Sequence, residues 1–213
     1  MKVIGVVCSL RKNSNTYILV ELALGSAMKA GAETELLAMS GKQIAPCHGC
    51  SACRDSGTCR IEDDMQEWLV KFEQAQAIIF GTPVYFFNLS GSAKILMDRL
   101  FPLYIFGKLT NKIGGVIAVA NSLGHTGVWH TYTTFFNAAH MLSADFVSAF
   151  AGLEGEVRKD RHAVQASKEL GRQVVDLASC QFKYPAEYPE PLYKLVANKY
   201  GIDQSPHRGR FEK

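Results

Sequence analysis

The chain of 213 residues carries 23 basic and 20 acidic side chains, which give a formal net charge of +3 at pH 7. This length supports one domain with a full hydrophobic core, so the small folds that depend on disulfides are excluded. The charges are spread along the sequence without a dense basic run, and the composition therefore gives no case for nucleic-acid binding.

The N-terminal apolar run is too short for a signal peptide, and no later run reaches the roughly 18 apolar residues of a membrane span. We therefore expect a cytoplasmic protein that makes no membrane contact. Thiols stay reduced in that compartment, so clustered cysteines there bind metals or act in catalysis more often than they form disulfides.

Apolar runs alternate with helical patterns along residues 1–182. Predicted strands cover residues 2–8, 33–39, 77–81, 112–120 and 144–150. Predicted helices cover residues 16–29, a segment that begins at Asp63 or Asp64 as its N-cap, residues 92–101, a segment that ends near 142, and residues 160–182. This alternation predicts an α/β fold, a doubly wound parallel sheet of five strands in the flavodoxin-like order 2-1-3-4-5.

Residues 183–213 change in character, because tyrosines and prolines alternate there before a polar tail. We expect this C-terminal extension to pack on its own domain or on a partner subunit.

The loop after the first predicted strand is unusually rich in polar donors. In doubly wound sheets, ligands bind at the carboxyl ends of the strands near the point where the strand order reverses. This loop offers hydroxyl, amide and guanidinium groups beside a helix N-terminus, from Ser9, Arg11, Ser14, Asn15 and Thr16. The pattern is typical of phosphate binding, although the same side chains can also simply cap the helix. No G-x-G-x-x-G and no Walker lysine is present, so neither a dinucleotide nor ATP is predicted.

The loop after the third predicted strand, residues 82–91, contains three consecutive aromatic residues, Tyr85, Phe86 and Phe87. Three in succession cannot all point into the core, so we expect at least one ring to face the cleft, where a flat ligand can stack. A phosphate site that faces an aromatic surface predicts a mononucleotide pocket for FMN.

Four of the six cysteines fall within residues 46–60, an insertion between the second strand and the next helix. They are Cys47, Cys50, Cys53 and Cys59, with gaps of two, two and five residues. Disulfides require specific geometry that such short loops strain, whereas the thiols can meet at a common metal. The spacing favours a [4Fe-4S] cluster, because structural zinc usually pairs two C-x-x-C motifs across a longer stretch. Zinc and redox-active or unmetallated thiols stay open as alternatives, and Cys8 and Cys180 are interpreted as small buried apolar residues.

The string 81–91, with Lys94, Asp98 and Arg99 after it, resembles the flavin-binding segment of the NADPH-dependent FMN reductase group of flavodoxin-like proteins. The loop from Ser9 to Thr16 resembles the FMN phosphate loop of the same group. The cysteine segment followed by Asp63 is similar to the iron-sulfur flavoprotein branch, whose motif binds a [4Fe-4S] cluster beside FMN.

This resemblance implies roles for individual residues. It implies that the phosphate is held by Ser9, Arg11, Ser14, Asn15 and Thr16, and that the flavin ring is lined by Pro83, Val84, Tyr85 and Phe86. It also implies contacts from the loop after the fourth strand, through Asn121, Ser122 and Gly124.

The combined prediction is an oxidoreductase that carries electrons between an iron-sulfur cluster and FMN, with a ferredoxin-like donor or NAD(P)H and a small-molecule acceptor. One alternative is an NAD(P)H-dependent flavin or quinone reductase without a functional cluster, and another is a flavin-binding redox sensor. We expect a homodimer or homotetramer. His125 and His130 either protonate the flavin or substrate, or are ordinary surface or helix histidines.

Overall fold

The computed structural model describes residues 1–185. The strands are β1 (Lys2–Val7), β2 (Glu33–Ala38), β3 (Ala77–Tyr85), β4 (Asn88–Leu89), β5 (Ile113–Ala120) and β6 (Leu142–Phe150). The α-helices are α1 (Asn15–Lys29), α2 (Cys53–Ser56), α3 (Met65–Gln74), α4 (Gly91–Arg99), α5 (Phe101–Ile105), α6 (His125–Ala138) and α7 (Arg161–Ser179), and a 3-10 helix covers Glu156–Lys159.

Five long strands of the described chain pair in parallel in the order β2-β1-β3-β5-β6, which is the predicted flavodoxin-like order. The three central strands are almost entirely buried, because helices cover both faces of the sheet. One core lies under α3, α4 and α6, and the other lies under α1 and α7. Within residues 1–185, no helix is long and apolar enough to cross a membrane.

The prediction of five strands was wrong in number, because a sixth strand, β4, pairs antiparallel with the end of β3. Strand β3 itself runs four residues beyond its predicted end at Gly81, to Tyr85. Residues Tyr85 and Asn88 are paired, so the aromatic loop is a tight hairpin rather than an open connection. A two-residue strand gives too short a pattern to be recognised in a sequence.

Two helix boundaries also differ from the prediction. Helix α4 ends at Arg99 and a separate helix α5 begins at Phe101, with Pro102 in its first turn. Proline has no N–H to continue the α4 hydrogen-bond ladder, so the chain starts a new helix there. Helix α6 ends at Ala138, four residues before its predicted end, and β6 already begins at Leu142.

The cysteine segment forms irregular backbone around the single short helix α2, which ends at Ser56 and is capped by Gly57 with a φ of +73°. Most of the predicted C-terminal extension, residues 186–213, lies outside the described residues.

Candidate functional site

A cavity of about 510 Å³ opens at the carboxyl ends of the strands, and we call it the strand-end cavity. Strands β1 and β3 are hydrogen-bonded neighbours, so the loops that follow them meet at this edge, as predicted. Nine of the predicted cofactor-binding residues line it: Ser9, Arg11, Ser14, Asn15, Thr16, Pro83, Val84, Tyr85 and Asn121. The volume lies within the range of about 300–1,000 Å³ that is usual for ligand pockets.

The loop between β1 and α1, which we call the phosphate loop, both caps α1 and lines the strand-end cavity. Ser14 is the N-cap of α1, and its hydroxyl accepts a hydrogen bond from the Tyr17 N–H over 3.1 Å. Ser9 is buried and accepts from the Arg11 N–H at 3.3 Å, while the Arg11 side chain is exposed at the cavity. The positive end of α1 and one guanidinium therefore face the same space, which favours a bound phosphate.

Asn15 has a different arrangement from the one predicted, because its side chain already has partners in the protein. Its amide group donates to the Leu153 carbonyl at 2.7 Å, and its oxygen accepts from the Val157 N–H at 3.3 Å. Asn15 thus ties the phosphate loop to the loop after β6, more than 130 residues away in sequence.

The loop after β6 contributes three residues to the strand-end cavity that the sequence did not predict, Ala151, Gly152 and Glu154. Glu156 holds this loop by accepting from the N–H groups of Gly152 and Leu153, both at 2.9 Å, and these two bonds lower the pKa of its carboxyl. The one signal available in the sequence is position, since this loop also follows a strand of the parallel sheet.

The β3–β4 hairpin places its aromatic rings unequally. Tyr85 lines the strand-end cavity, as expected for at least one of the three rings, while Phe86 is 98% exposed. Both Phe86 and Phe87 have positive φ, of 46° and 64°, which matches a two-residue hairpin turn but strains a bulky residue.

Buried hydroxyl groups fix the base of this hairpin to β1. The Thr82 hydroxyl lies 3.2 Å from that of Ser90, which lies 2.9 Å from that of Ser92. The Ser92 hydroxyl donates to the Cys8 carbonyl at 2.5 Å, so the hairpin, α4 and β1 are joined directly below the cavity.

Three predicted cofactor-binding residues, Phe86, Ser122 and Gly124, do not line the strand-end cavity. Gly124 instead starts α6 with a φ of +106°, and a Cβ there would lie 2.5 Å from the Phe87 Cα. This glycine lets the loop after β5 press against the hairpin turn, so its observed role is close packing.

A second cavity, of about 850 Å³, is lined by all four clustered cysteines, and we call it the cysteine cavity. Its other walls come from α4, α5 and α6, through residues such as Met97, Phe101 and Phe135. Arginines are also present in its lining, at Arg54, Arg60 and Arg99.

The donor set of the cysteine cavity suits an anionic thiolate-bound cluster. All six cysteines of the chain are free thiols. Burial first, and then the charges of Cys59, Cys50 and Cys47, raise the pKa of the Cys53 thiol. Among residues 1–185, no three side chains of the metal-binding types are close enough to hold a metal ion. The four thiols therefore share one cavity, but the described residues give them no preformed ligand geometry.

Asp63 and Asp64, which the prediction named as alternative N-caps of the next helix, follow the cysteine segment. Asp64 occupies the N-cap position of α3 without a side-chain cap bond, whereas the carboxylate of Asp63 accepts from the Met65 N–H at 3.0 Å. Asp63 also pairs with Arg99, whose side chain is fully buried. Sequence reasoning missed this pair because it joins residues 36 positions apart.

The remaining predicted residues separate into distinct environments. His125 bonds to the Ala149 carbonyl at 2.9 Å and packs edge-on against Phe150, whereas His130 lines the cysteine cavity. Cys8 is buried as predicted, but Cys180 is exposed, which corrects that prediction. Cys180 follows the last turn of α7, where the chain leaves the core.

Known proteins resemble this chain in sequence and in fold. The family of NADPH-dependent FMN reductases matches residues 1–152. An iron-sulfur flavoprotein of Methanocaldococcus jannaschii is 36% identical over 187 residues, which cover 83% of this chain and 97% of that protein.

Two solved structures share the fold. The structure of RosB with a bound 8-demethyl-8-formylriboflavin-5'-phosphate intermediate has a TM-score of 0.71 at 19% identity, covering 97% of this chain and 88% of RosB. An NAD(P)H:quinone oxidoreductase from Methanothermobacter marburgensis has a TM-score of 0.64 at 14% identity, covering 82% of this chain and 98% of that one.

Proposed function

This chain belongs to the NADPH-dependent FMN reductase family and is a flavin-dependent oxidoreductase, and from that premise we propose that it transfers electrons between FMN in the strand-end cavity and a [4Fe-4S] cluster in the cysteine cavity. The observation that supports this proposal most strongly is the convergence of nine predicted residues, from three separate loops, on one cavity.

In the proposed FMN complex, the phosphate lies at the N-terminus of α1. Arg11 neutralises its charge, and Ser9, Thr16 and the backbone N–H groups of the loop donate hydrogen bonds to it. Asn15 acts by holding the loop after β6 in place, since its amide is already bonded there.

Pro83, Val84 and Tyr85 form the wall of the cavity that the flavin ring contacts in this proposal. The buried hydroxyls below them keep that wall fixed against β1. Bound FMN supplies two-electron exchange with NAD(P)H and one-electron exchange with a cluster.

The four cysteines would hold the cluster as thiolates, and the nearby arginines would offset its negative charge. The iron-sulfur flavoprotein of M. jannaschii supports this part of the proposal, because most of its length aligns with this chain. A ferredoxin-like donor, a small-molecule acceptor and a homo-oligomeric state stay predictions.

Spectroscopy of anaerobically purified protein tests both cofactors. We expect flavin absorption with a broad shoulder that dithionite bleaches, together with iron and sulfide near four per chain, the content of one [4Fe-4S] cluster. A flavin-only spectrum without iron would contradict the cluster, and a protein that retains no flavin would contradict the proposed cavity.

Replacement of a single cysteine gives a sharper test. Cys50→Ala should lose iron and keep FMN, because the strand-end cavity and the cysteine cavity have no lining residue in common. Cys180→Ala is the matched control, since this exposed thiol lies outside both cavities and should leave iron and flavin contents unchanged. Iron retained at the wild-type level in Cys50→Ala would rule out the four-cysteine site.

A second candidate function is an NAD(P)H-dependent quinone reductase that works without a cluster. It is favoured by the separation of the two cavities, because a strand-end cavity that shares no lining residue with the cysteine cavity can hold FMN without a cluster. Rapid NADPH oxidation with a quinone in the iron-free Cys50→Ala variant, at the wild-type rate, would support this candidate over the first.

A further inference from the structure

Arg99, at the C-terminal end of α4, lies fully buried in the wall of the cysteine cavity. Its guanidinium donates two hydrogen bonds to the Asp63 carboxylate, at 2.6 and 2.8 Å, and one to the Ala45 carbonyl at 2.7 Å. The Arg99 guanidinium is therefore bonded to one residue before the clustered cysteines and to one residue after them.

Asp63, which follows the cysteines, also bonds directly to Ala45, which precedes them. Its carboxylate accepts a hydrogen bond from the Ala45 N–H at 2.8 Å in addition to its bonds with Arg99. Ala45 comes two residues before the first clustered cysteine, and Asp63 comes four residues after the last. The pair therefore fixes the two ends of the segment that carries Cys47 to Cys59 in one place.

The Arg99 guanidinium has one more N–H donor, at Nε. Its Nε is buried and has no hydrogen-bond partner among residues 1–185, which is an unfavourable state for a charged group. Arg99 and Cys59 both line the cysteine cavity, so the guanidinium and this thiol belong to the same wall.

A buried ion pair contributes little net stability compared with apolar packing at the same position. Removing two charges from water costs several kcal/mol per ion, and apolar residues of similar volume often replace a buried ion pair without loss of stability. A second feature is that the buried donor without a partner belongs to a residue that lines the cavity of the cysteines.

We propose that Arg99 is a positioning residue for the cluster, which closes the base of the cysteine loop and stabilises the reduced cluster through its fixed charge. This inference rests on the proposed function. One-electron reduction adds one negative charge to the four-thiolate site, and a guanidinium in the wall of the same cavity favours the form with the greater negative charge.

Helix α4 also connects Arg99 to the flavin side of the molecule. The helix begins at the hydroxyls below the strand-end cavity and ends at Arg99, nine residues later, a length of roughly 14 Å. One rigid element therefore sets the position of both proposed redox sites.

The test is potentiometric titration of the cluster in the anaerobic holoprotein, followed by EPR, with dithionite as reductant. The double variant Arg99→Gln/Asp63→Asn removes both charges and keeps the net charge of the protein. We expect its ratio of reduced to oxidised cluster, at the wild-type midpoint, to fall about tenfold, which equals 59 mV for one electron. Asp63→Asn alone should move the midpoint upward, because the carboxylate no longer offsets the guanidinium.

The matched control is Arg172→Gln/Asp176→Asn, which neutralises an exposed arginine–aspartate pair on α7. It should leave the midpoint unchanged. Equal midpoints in the two double variants would overturn the inference, as would a downward or absent shift in Asp63→Asn.

Loss of the cluster in one variant does not prevent a decision. If the double variant binds FMN but assembles no cluster, the direction of the Asp63→Asn shift decides the question, and FMN content and circular dichroism verify the fold. Iron-free wild-type protein would refute the proposed cluster and this inference with it. An iron-containing wild type whose midpoint does not respond to either variant refutes the role of Arg99 alone.

Discussion

Among single residues, Asn15 was predicted from its position to contact the cofactor phosphate, and the structure gives its side chain a different immediate partner. The donors of the phosphate loop were recognisable because they lie together in sequence next to a helix start. The partner of Asn15 was not, because hydrogen bonds to Leu153 and Val157 depend on how the sheet brings distant loops together. Ser14 likewise both lines the strand-end cavity and caps α1, so the two interpretations of this loop are compatible.

Replacing Asn15 by Ala should weaken FMN binding without removing a direct ligand. The variant loses two hydrogen bonds that hold the loop after β6, and a net loss of about 1.4 kcal/mol corresponds to a tenfold higher dissociation constant. Asn15→Asp should weaken binding further, because it adds a negative charge beside the phosphate. Titration of the apoprotein with FMN, followed by quenching of flavin fluorescence, measures both effects.

Asn137→Ala, an exposed change on α6, serves as the control for this series and should bind FMN like the wild type. Wild-type affinity in Asn15→Ala would show that the loop after β6 does not depend on this amide.

Among the elements, α1 and α7 can pack closely because Gly171 has no side chain. Gly171 in α7 packs so closely on α1 that an added Cβ would lie 1.9 Å from the Ala23 carbonyl oxygen. Backbone on both sides cannot shift as a flexible side chain would, so the two helices would have to separate.

Gly171→Ala should therefore destabilise the protein by about 1–3 kcal/mol, although alanine is the better helix former. Gly25→Ala in α1 is the matched control, because a Cβ there meets nothing within 4 Å. It should be neutral or stabilise by up to about 1 kcal/mol. Urea unfolding of both variants gives the comparison, and equal free energies of unfolding would contradict the close packing of α1 on α7.

The elements differ in how well the sequence predicts them. Strands β1, β3 and β5 were predictable because burial on both faces produces continuous apolar runs, and the flavodoxin-like order followed from their alternation with helices. Strand β4 and the separation of α4 from α5 were not predicted. The first depends on a two-residue pairing, and the second on Pro102, which lies in the first turn of a new helix just where the predicted helix 92–101 ends.

At the scale of the whole molecule, the two cavities were predictable to different degrees. The strand-end cavity follows from topology, because loops at the switch point must meet. The cysteine cavity needed tertiary information, since helices α4, α5 and α6 supply most of its apolar wall and Arg99 closes its base. Spacing alone indicated a metal-binding segment but gave no sign of that wall.

The pH dependence of the free energy of unfolding should also reflect one buried lysine. Lys112, just before β5, donates hydrogen bonds to the carbonyls of Glu73, in the last turn of α3, and of Ala75, the C-cap of that helix. Burial lowers the pKa of Lys112 to about 8, although the Glu73 carboxylate opposes this. The unfolded chain, with an ordinary lysine pKa near 10.4, then binds more protons than the folded one between about pH 8 and 10.4.

The contribution of Lys112 to stability should therefore rise with pH across that window, by at most about 1.4 kcal/mol per pH unit. Cys8 acts in the opposite direction, because burial raises its pKa to about 12 and the unfolded thiol ionises first. The difference between the free energies of unfolding of wild type and Lys112→Met isolates the lysine, since Cys8 is common to both. Urea titrations between pH 7.5 and 10 measure this difference, which should grow with pH. The control is Lys108→Met, because Lys108 lies beside the same Glu73 but is partly exposed, and its difference from wild type should stay constant with pH. A flat difference for Lys112→Met would show that Lys112 reaches water in the folded protein and keeps its ordinary pKa.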